Sequence, residues 1–247
     1  FQCAASAEKN SAGAPLPAWA DLLVPTGAPE PAAGAPAVVR LWETQLLVGP
    51  QPVRLTQRVV QVNDASALAD IGQTMLEFNP RFERLLLHEL VTVRGAQTID
   101  HTRTAPARLL RREARPEQGV DSGVVTASIV LPDVRVGDSV KLVYSIVGEA
   151  APRRARYSQR TLWDQPHAVA RRRVTLIAPA ARRLKWRWFG GADGEGPNPT
   201  ETVTAGVRRL RFESRDLAAA AAEPMTPLRV SVMRQLQFSE YPDWHEV

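Results

Sequence analysis

The feature of this sequence that most constrains its fold is a long succession of short runs with the two-residue periodicity of β-strands. In "GVVTASIVL", alternate positions are apolar, namely Val125, Ala127, Ile129 and Leu131. Successive side chains of a strand point to opposite faces of its sheet, so this run predicts one mostly buried face. Similar runs with short turns fill residues 37–240. They predict an all-β domain, a large antiparallel β-sandwich with few short helices.

Two local patterns predict particular elements inside this region. The runs "VVRLWETQLLV" and "VRLTQRVVQV" flank "GPQP". Because Gly and Pro favour a turn between runs rich in β-branched residues, these segments predict a β-hairpin. After the hairpin, Asn63 or Asp64 can cap a short helix over "ASALADI", and Gly72 can end it.

Residues 1–36 differ from the rest in being rich in Ala, Pro, Gly and Ser. Such a composition predicts a leader or linker, and its apolar stretch "PAWADLLVP", with Trp19 and residues 22–24, is expected to anchor it on the body of the protein. The start lacks a basic region followed by an apolar one. Either a signal peptide has been removed or the start has been trimmed, and the sequence does not distinguish the two.

The positive net charge of the chain suggests a nucleic-acid partner, but the kind of basic residue weakens that interpretation. The formal net charge is +5 and the isoelectric point is about 10.0. Lysine occurs only at Lys9, Lys141 and Lys185, and the other basic residues are Arg beside abundant Ala and Pro. This bias is typical of GC-rich coding, and net charge speaks to non-specific association rather than to function. We therefore expect no nucleic-acid partner, and without an apolar run of about 18 residues we expect no membrane span.

No pattern of cysteine and histidine predicts catalysis or metal binding in this segment. The single cysteine, Cys3, lies in the leader and is interpreted as an exposed thiol, with lipidation as the alternative. The four histidines are His88, His101, His167 and His245, and none has the spacing of a zinc site. If Cys3 paired with one of these histidines, the leader would not hold the thiol in the rigid, preorganised position that a nucleophile needs. We expect no catalytic residue, metal or cofactor here.

The strand "KWRWF" is the strongest candidate for a binding surface. Alternation places Trp186 and Trp188 on one face and Lys185, Arg187 and Phe189 on the other. Two aligned indoles can stack on a sugar or a base, and the nearby basic side chains can donate hydrogen bonds. Alternatively, the indoles fill the core between two sheets. The following loop "GGADGEGPNP" lacks the pattern of a calcium or phosphate site and is predicted to be a hairpin connection to "TETVT".

Arginine occurs in groups along the strands and turns. We expect them to cover solvated sheet faces and to protect strand edges, with an anionic envelope surface as the functional alternative. The groups lie at residues 108, 111, 112 and 115, at 153, 154, 156 and 160, and at 171–173.

The last residues, "SEYPDWHEV", have the features of a helix start. Asp243 is a good N-cap, and Glu246 stands three residues later, in the register of a capping box. Residues 241–247 are therefore expected to begin a helix that belongs to an absent neighbouring domain. Asp243 and Trp244 would lie at the interface with that domain.

Three stretches together carry a resemblance to a known family. They are "LLLHELVTVRG", "LLRREARPEQGVDSGVVTASIVLPDVRVGDSVKLVYSIVG" and "FSEYPDWHEV". Over roughly residues 38–247 the chain resembles a bacterial family of unknown function that precedes transglutaminase-like domains in exported or membrane-associated proteins. The pair Ala151-Pro152 departs from the Asn-Pro expected there. The resemblance implies an all-β domain followed by a domain with a Cys-His-Asp arrangement of papain type, and Cys3 does not match that cysteine.

These observations lead to three hypotheses about function. The first is a non-catalytic accessory module in the bacterial envelope that positions a C-terminal transglutaminase-like cysteine enzyme or presents substrate to it. The second is a module that binds a glycan, peptide or envelope polymer through Trp186, Trp188, Arg187 and Lys185. The third, a hydrolase acting alone, lacks a catalytic constellation in this sequence.

Overall fold

The computed structural model describes residues 11–25, 34–111, 123–148, 156–191, 195–220 and 233–241. Their regular structure is almost entirely β, as predicted. The strands are β1 (Ser11–Ala12), β2 (Ala37–Leu47), β3 (Val53–Val62), β4 (Gln73–Phe78), β5 (Glu83–Arg94), β6 (Gln97–Asp100), β7 (Ala107–Arg111), β8 (Val125–Val130), β9 (Ser139–Gly148), β10 (Ser158–Leu162), β11 (Val169–Pro179), β12 (Lys185–Phe189), β13 (Thr200–Thr204), β14 (Val207–Leu217) and β15 (Gln235–Ser239).

These strands form one large sheet and two small ones. The nine-stranded sheet has the order β1-β5-β9-β3-β2-β11-β14-β13, with β6 beside β5. The small sheets have the orders β4-β8-β7 and β10-β15-β12. The predicted hairpin is confirmed as the antiparallel pair β2–β3. The arrangement is not purely antiparallel, however, because β1 and β5, and likewise β2 and β11, are parallel.

Both small sheets cover the same face of the nine-stranded sheet, which we call the inner face. In β2, Val39 packs in a first core with β4 and β8, whereas Leu46 packs in a second core with β12 and β15. A β-bulge between Val39 and Leu41 keeps both residues on one face, since it inserts an extra residue into the alternation. The sandwich thus has one large layer and a second layer of two small sheets side by side.

The predicted short helix is present between β3 and β4. Asp64 caps a 3-10 turn over Ala65–Ala67, and its carboxylate accepts a 2.8 Å hydrogen bond from the backbone N–H of Ser66. The turn continues into α1, Leu68–Ile71, which ends at Gly72. Neither helix of the described residues is long and apolar enough to cross a membrane.

Two expectations about loops and charged residues were wrong. The segment after β12 does not close a hairpin, because β12 pairs with β15 and β13 pairs with β14. It connects a small sheet to the nine-stranded sheet instead. Arg172 and Arg173 were expected on solvated faces, but they are 0% and 3% exposed. Both lie on β11, which has strands on either side and is therefore interior to the large sheet.

In the leader, β1 pairs with β5 at the edge of the nine-stranded sheet, and residues 21–23 lie on the other side of this sheet, which we call the outer face. The backbone of Asp21 is hydrogen-bonded to Gln45, and that of Leu23 to Gln57. Gln45 alternates with the inward-facing Leu46, so its side chain points away from the small sheets.

Candidate functional site

A cleft of about 380 Å³ lies on the inner face of the nine-stranded sheet, beside α1 and strand β4 of the small sheet β4-β8-β7. Its floor comes from three adjacent strands, since Trp42 of β2 is paired with Arg58 of β3, and Arg58 with Leu142 of β9. One wall is α1 with β4, and Gln165 lies on the opposite wall. A cleft of this volume, lined by both apolar and polar side chains, has the dimensions of a small-molecule site.

Arg58 gives this cleft a cationic floor. Burial lowers the pKa of Arg58, while Tyr144 and Asp70 oppose that shift. Its Nη2 lies 3.4 Å from Oε1 of Gln165, and its Nε has no hydrogen-bond partner among the described residues. The Nε2 of Gln165 likewise lacks one within that part of the chain. Because the guanidinium of Arg58 lines the cleft, the cleft favours a ligand group that accepts hydrogen bonds, such as a carboxylate or carbonyl.

A second arginine, Arg172, holds the floor in place. Its guanidinium stacks on Trp42 with Cζ 3.9 Å from the ring centroid. It also donates to the backbone oxygens of Trp42, Arg173 and Leu162 and to Oγ1 of Thr44. Burial lowers the pKa of Arg172 to about 9, which still leaves it protonated at neutral pH. This side chain fixes the indole at the cleft and the end of β10.

His167 and Asp70 lie near the mouth of the cleft but do not form an oriented acid–base pair. Nε2 of His167 is 3.8 Å from Oδ2 of Asp70, which is beyond hydrogen-bond distance. The side chain of Asp70 is 83% exposed. Catalytic dyads hold the base by a hydrogen bond to its orienting group, so this pair lacks their geometry.

The strand "KWRWF" is β12, at the edge of the second small sheet. Trp186 and Trp188 face inward and are half-buried, whereas Lys185 and Arg187 are exposed. Trp186 lies edge-on to Phe212, with ring centroids 5.2 Å apart, and Trp188 lies edge-on to Trp163 at 5.0 Å. The indoles thus pack against the second core while part of each remains at the surface.

A wide, shallow depression of about 770 Å³ lies beside this strand. It is lined by Trp186, Arg187, Trp188, Phe189, Gly190, Glu195, Gly196 and Asn198. On the exposed face, the guanidinium carbons of Arg187 and Arg160 lie 4.8 and 5.4 Å from the centroid of Phe189. Three of the four predicted residues, Trp186, Trp188 and Arg187, thus line one depression, whereas Lys185 is not among its lining residues.

Other residues singled out from the sequence are dispersed or lie outside the described residues. Cys3, Asp243, Trp244 and His245 belong to the second group. Within the described parts of the chain, no group of three or more His, Cys, Asp or Glu side chains could hold a metal ion. The remaining predictions for these positions are not tested by the structure.

The cleft residues were missed because the sequence analysis interpreted Arg172 as a solvated charge and did not single out Arg58. A signal was present in the strand parity. Arg58 alternates with Thr56 and Val60, and Arg172 alternates with Val174 and Leu176. Side chains two apart share a face, so each arginine could have been placed on the inner face with its apolar neighbours. The approach of Gln165 depends on tertiary packing and has no such signal.

Comparison with known proteins places this architecture in a family. A model of a domain of unknown function with a solved structure, DUF3857, matches residues 53–221. The chain belongs to the DUF3857 family. The comparison with curated proteins found no match.

Two solved structures that resemble this chain belong to longer proteins. A candidate protease from Parabacteroides distasonis ATCC 8503 is 16% identical, with a TM-score of 0.71 over 84% of this chain and 41% of that chain. An M1 zinc metallopeptidase from Deinococcus radiodurans is 12% identical, with a TM-score of 0.41 over 83% of this chain and 42% of that chain. The second score is too low to carry an argument. This chain spans about two fifths of the length of either protein.

Proposed function

We propose that this DUF3857 domain is a non-catalytic accessory module that positions a C-terminal transglutaminase-like cysteine enzyme, or presents substrate to it, in the bacterial envelope. The observation that carries the proposal is the fold shared with part of a longer candidate protease, at a TM-score of 0.71. The resemblance of "FSEYPDWHEV" to a lead-in for such an enzyme supports it further. Asp243 and Trp244 would contact the enzyme domain.

The last described residues are held firmly, which suits a positioning role. Glu240 follows β15, and its carboxylate forms an ion pair with the guanidinium of Arg182. The same carboxylate accepts a 2.6 Å hydrogen bond from the backbone N–H of Tyr157. These contacts tie Glu240 to the start of β10 and to the turn before β12. A domain attached beyond this point would have a defined orientation relative to the sandwich.

The proposal is tested with the complete natural protein by measuring cysteine-dependent incorporation of a fluorescent amine into a protein substrate. We expect Glu240→Ala to lower kcat/KM by about tenfold. The reason is that even a small displacement of the reacting groups from their productive separation slows the reaction. Glu201→Ala is the matched control, since its ion pair with Arg208 lies on the β13–β14 hairpin. We expect it to leave kcat/KM unchanged.

Two results would contradict the accessory role. One is that the complete protein has no activity, or that its Cys3→Ala variant stays as active as before when its other cysteines are alkylated. The other is that Glu240→Ala and Glu201→Ala behave alike although circular dichroism shows both variants to be folded.

The depression beside β12 favours a second candidate function, binding of a glycan or envelope polymer. Its aromatic and basic lining residues can stack on sugar rings and donate hydrogen bonds to hydroxyl or carboxylate groups. Because Trp186 and Trp188 are half-buried there, a bound glycan should quench tryptophan fluorescence. We expect cell-wall fragments to do so in the wild-type protein and in Arg183→Ala, whose exposed side chain is outside the depression. Arg187→Ala should lose the quenching, and equal quenching in all three proteins would contradict this candidate.

A further inference from the structure

We propose that the outer face of the nine-stranded sheet is a binding site for an extended polypeptide, which it recognises through the peptide backbone. Residues 21–23 of the leader occupy this site in the structure. The recognition elements are two glutamines on the paired strands β2 and β3, Gln45 and Gln57. This site is separate from the cleft and from β12, and it does not depend on a neighbouring enzyme.

Each glutamine makes both hydrogen bonds that a neighbouring strand would make. Gln45 Nε2 donates to the carbonyl of Asp21 at 2.7 Å, and Gln45 Oε1 accepts from the N–H of the same residue at 3.1 Å. Gln57 does the same with Leu23, at 2.8 Å to the carbonyl and 3.0 Å from the N–H. Alternate residues of an extended chain present both groups to the same side, as residues 21 and 23 do here. These contacts are available to any extended peptide.

The remaining leader contacts are also made mainly by backbone atoms. The N–H groups of Gly13 and Ala14 both donate to the carbonyl of Leu87, at 2.9 and 3.1 Å. The carbonyl of Ala14 lies 3.0 Å from Nδ1 of His88. Among the apolar side chains of the leader, Leu16 and Val24 are exposed, whereas Trp19, Leu22 and Leu23 are half-buried. The hydrogen bonds that hold the leader are therefore made by backbone groups that another peptide segment would also possess.

The floor under the leader is more polar than a purely structural cover requires. Gln45 and Gln57 are each 1% exposed and Glu43 is fully buried. A sheet face covered for stability alone would bury apolar side chains, since buried polar groups must be satisfied to avoid a cost. Burial raises the pKa of Glu43, and Arg173 opposes that shift.

Two atoms of this floor have no hydrogen-bond partner among the described residues. They are Oε2 of Glu43 and Oγ1 of Thr175, on side chains that are 0% and 5% exposed. Thr175 is paired with Gln45 across β2 and β11, so both atoms lie in the same part of the outer face. The floor thus has hydrogen-bonding capacity that the leader does not use. A peptide with a hydroxyl or amide side chain at this point would satisfy it.

Charge adds a preference for acidic peptides. Arg173 Nη2 donates to the carbonyl of Asp21 at 2.7 Å and lies 3.4 Å from its carboxylate Oδ2. Arg211 Nη2 is 3.7 Å from the same oxygen. The site therefore selects an extended segment with a carboxylate at the position of Asp21. The leader fits this preference and acts as an internal competitor for other peptides.

The test measures binding of a fluorescein-labelled peptide with the leader sequence 17–25, "PAWADLLVP", to the full 247-residue chain by fluorescence anisotropy. Leu23→Pro in the chain removes the N–H that Gln57 accepts, and so weakens the internal competitor. We expect this variant to bind the peptide at least about tenfold more tightly than the wild-type chain. Adding Gln57→Leu to Leu23→Pro should abolish the gain. If Leu23→Pro does not fold, Asp21→Lys weakens the leader by placing a cation beside Arg173.

Methylation of single peptide nitrogens provides matched controls. A peptide with N-methyl Leu23 lacks the N–H that Gln57 accepts and should not bind. A peptide with N-methyl Val24 should bind like the unmodified one, because the N–H of Val24 makes no contact with the floor. The proposal is overturned if a folded variant with a weakened leader fails to bind the peptide at about 1 mM. It is equally overturned if the two methylated peptides bind alike.

Discussion

At the residue scale, the protein depends on a few buried charges whose role is set by what surrounds them. Arg172 is the clearest example, because its guanidinium donates hydrogen bonds to four acceptors and stacks on the indole of Trp42. Such a side chain acts as a rigid connector between β2, β11 and the segment after β10. Its removal would leave oxygens without donors and a cavity beneath Trp42.

We expect Arg172→Ala to lower the free energy of unfolding by about 3 kcal/mol, because both penalties apply. Urea denaturation followed by circular dichroism measures this change. Arg215→Ala is the control, since the side chain of Arg215 is 60% exposed and lies 3.9 Å from Glu213. It should cost less than about 1 kcal/mol. Equal losses would show that Arg172 contributes through charge alone.

A second residue-scale prediction concerns Asp138, whose side chain is 1% exposed. Hydrogen bonds from Arg94, and also from the backbone of Arg135, lower the pKa of Asp138. The carboxylate therefore stabilises the fold above its unfolded pKa, near 3.8, and this contribution is lost as pH falls through the lower folded pKa. Asp138→Asn should cost about 2 kcal/mol at neutral pH.

The pH dependence separates this effect from a simple loss of packing. The difference in unfolding free energy between wild type and Asp138→Asn should stay constant from pH 7 to pH 5 and shrink below about pH 3.8. Asp133→Asn is the control, because that carboxylate is 58% exposed and pairs with the same Arg94. A difference for Asp138→Asn that does not change with pH would contradict the assignment.

At the element scale, the sequence predicted local structure well and strand order poorly. The β2–β3 hairpin and the cap at Asp64 depend on residues close in the chain, so their turn and capping signals were sufficient. The parallel pair of β2 with β11 joins segments more than a hundred residues apart, and no local pattern specifies it. The same limit applies to the cleft, because Gln165 reaches it only through tertiary packing between segments far apart in the chain. The arginines of the cleft floor, by contrast, could have been placed on the inner face from strand parity.

The end of β9 provides a test at the element scale. Gly148 has a φ of +116°, and a Cβ built there would lie 2.1 Å from the backbone oxygen of Phe82. We expect Gly148→Ala to destabilise the fold by about 3 kcal/mol, because backbone atoms must move and the conformation disfavours alanine. Gly206→Ala shares a positive φ, but its Cβ would meet nothing within 4 Å.

Comparing Gly148→Ala with Gly206→Ala separates the cost of the steric contact from the cost of placing alanine in a left-handed backbone conformation. Gly206→Ala should therefore cost only about 1 kcal/mol, which is the penalty for the left-handed conformation alone. Thermal unfolding monitored at 218 nm measures both variants. Similar shifts in Tm for the two would rule out a tight contact between β9 and the start of β5.

At the scale of the whole molecule, two cores share one sheet. The first core contains Leu90 and the second contains Leu210, and both side chains are almost fully buried. Strand β2 contributes Val39 to the first core and Leu46 to the second, so neither core can lose this strand without affecting the other. The leader adds a further connection, since it contacts β5 near residue 14 and β2 at residue 21.

This shared sheet leads us to expect one cooperative unfolding transition for both cores. Leu90→Ala and Leu210→Ala should each lower the free energy of unfolding by about 3 kcal/mol, through lost burial and a residual cavity. Three of the six tryptophans, Trp163, Trp186 and Trp188, pack in the second core and Trp42 packs against the first, so tryptophan fluorescence weights the second core. If the cores are coupled, Leu90→Ala shifts the fluorescence midpoint as much as it shifts the midpoint measured by far-UV circular dichroism. A fluorescence midpoint that responds to Leu210→Ala and not to Leu90→Ala would instead define two independently unfolding halves.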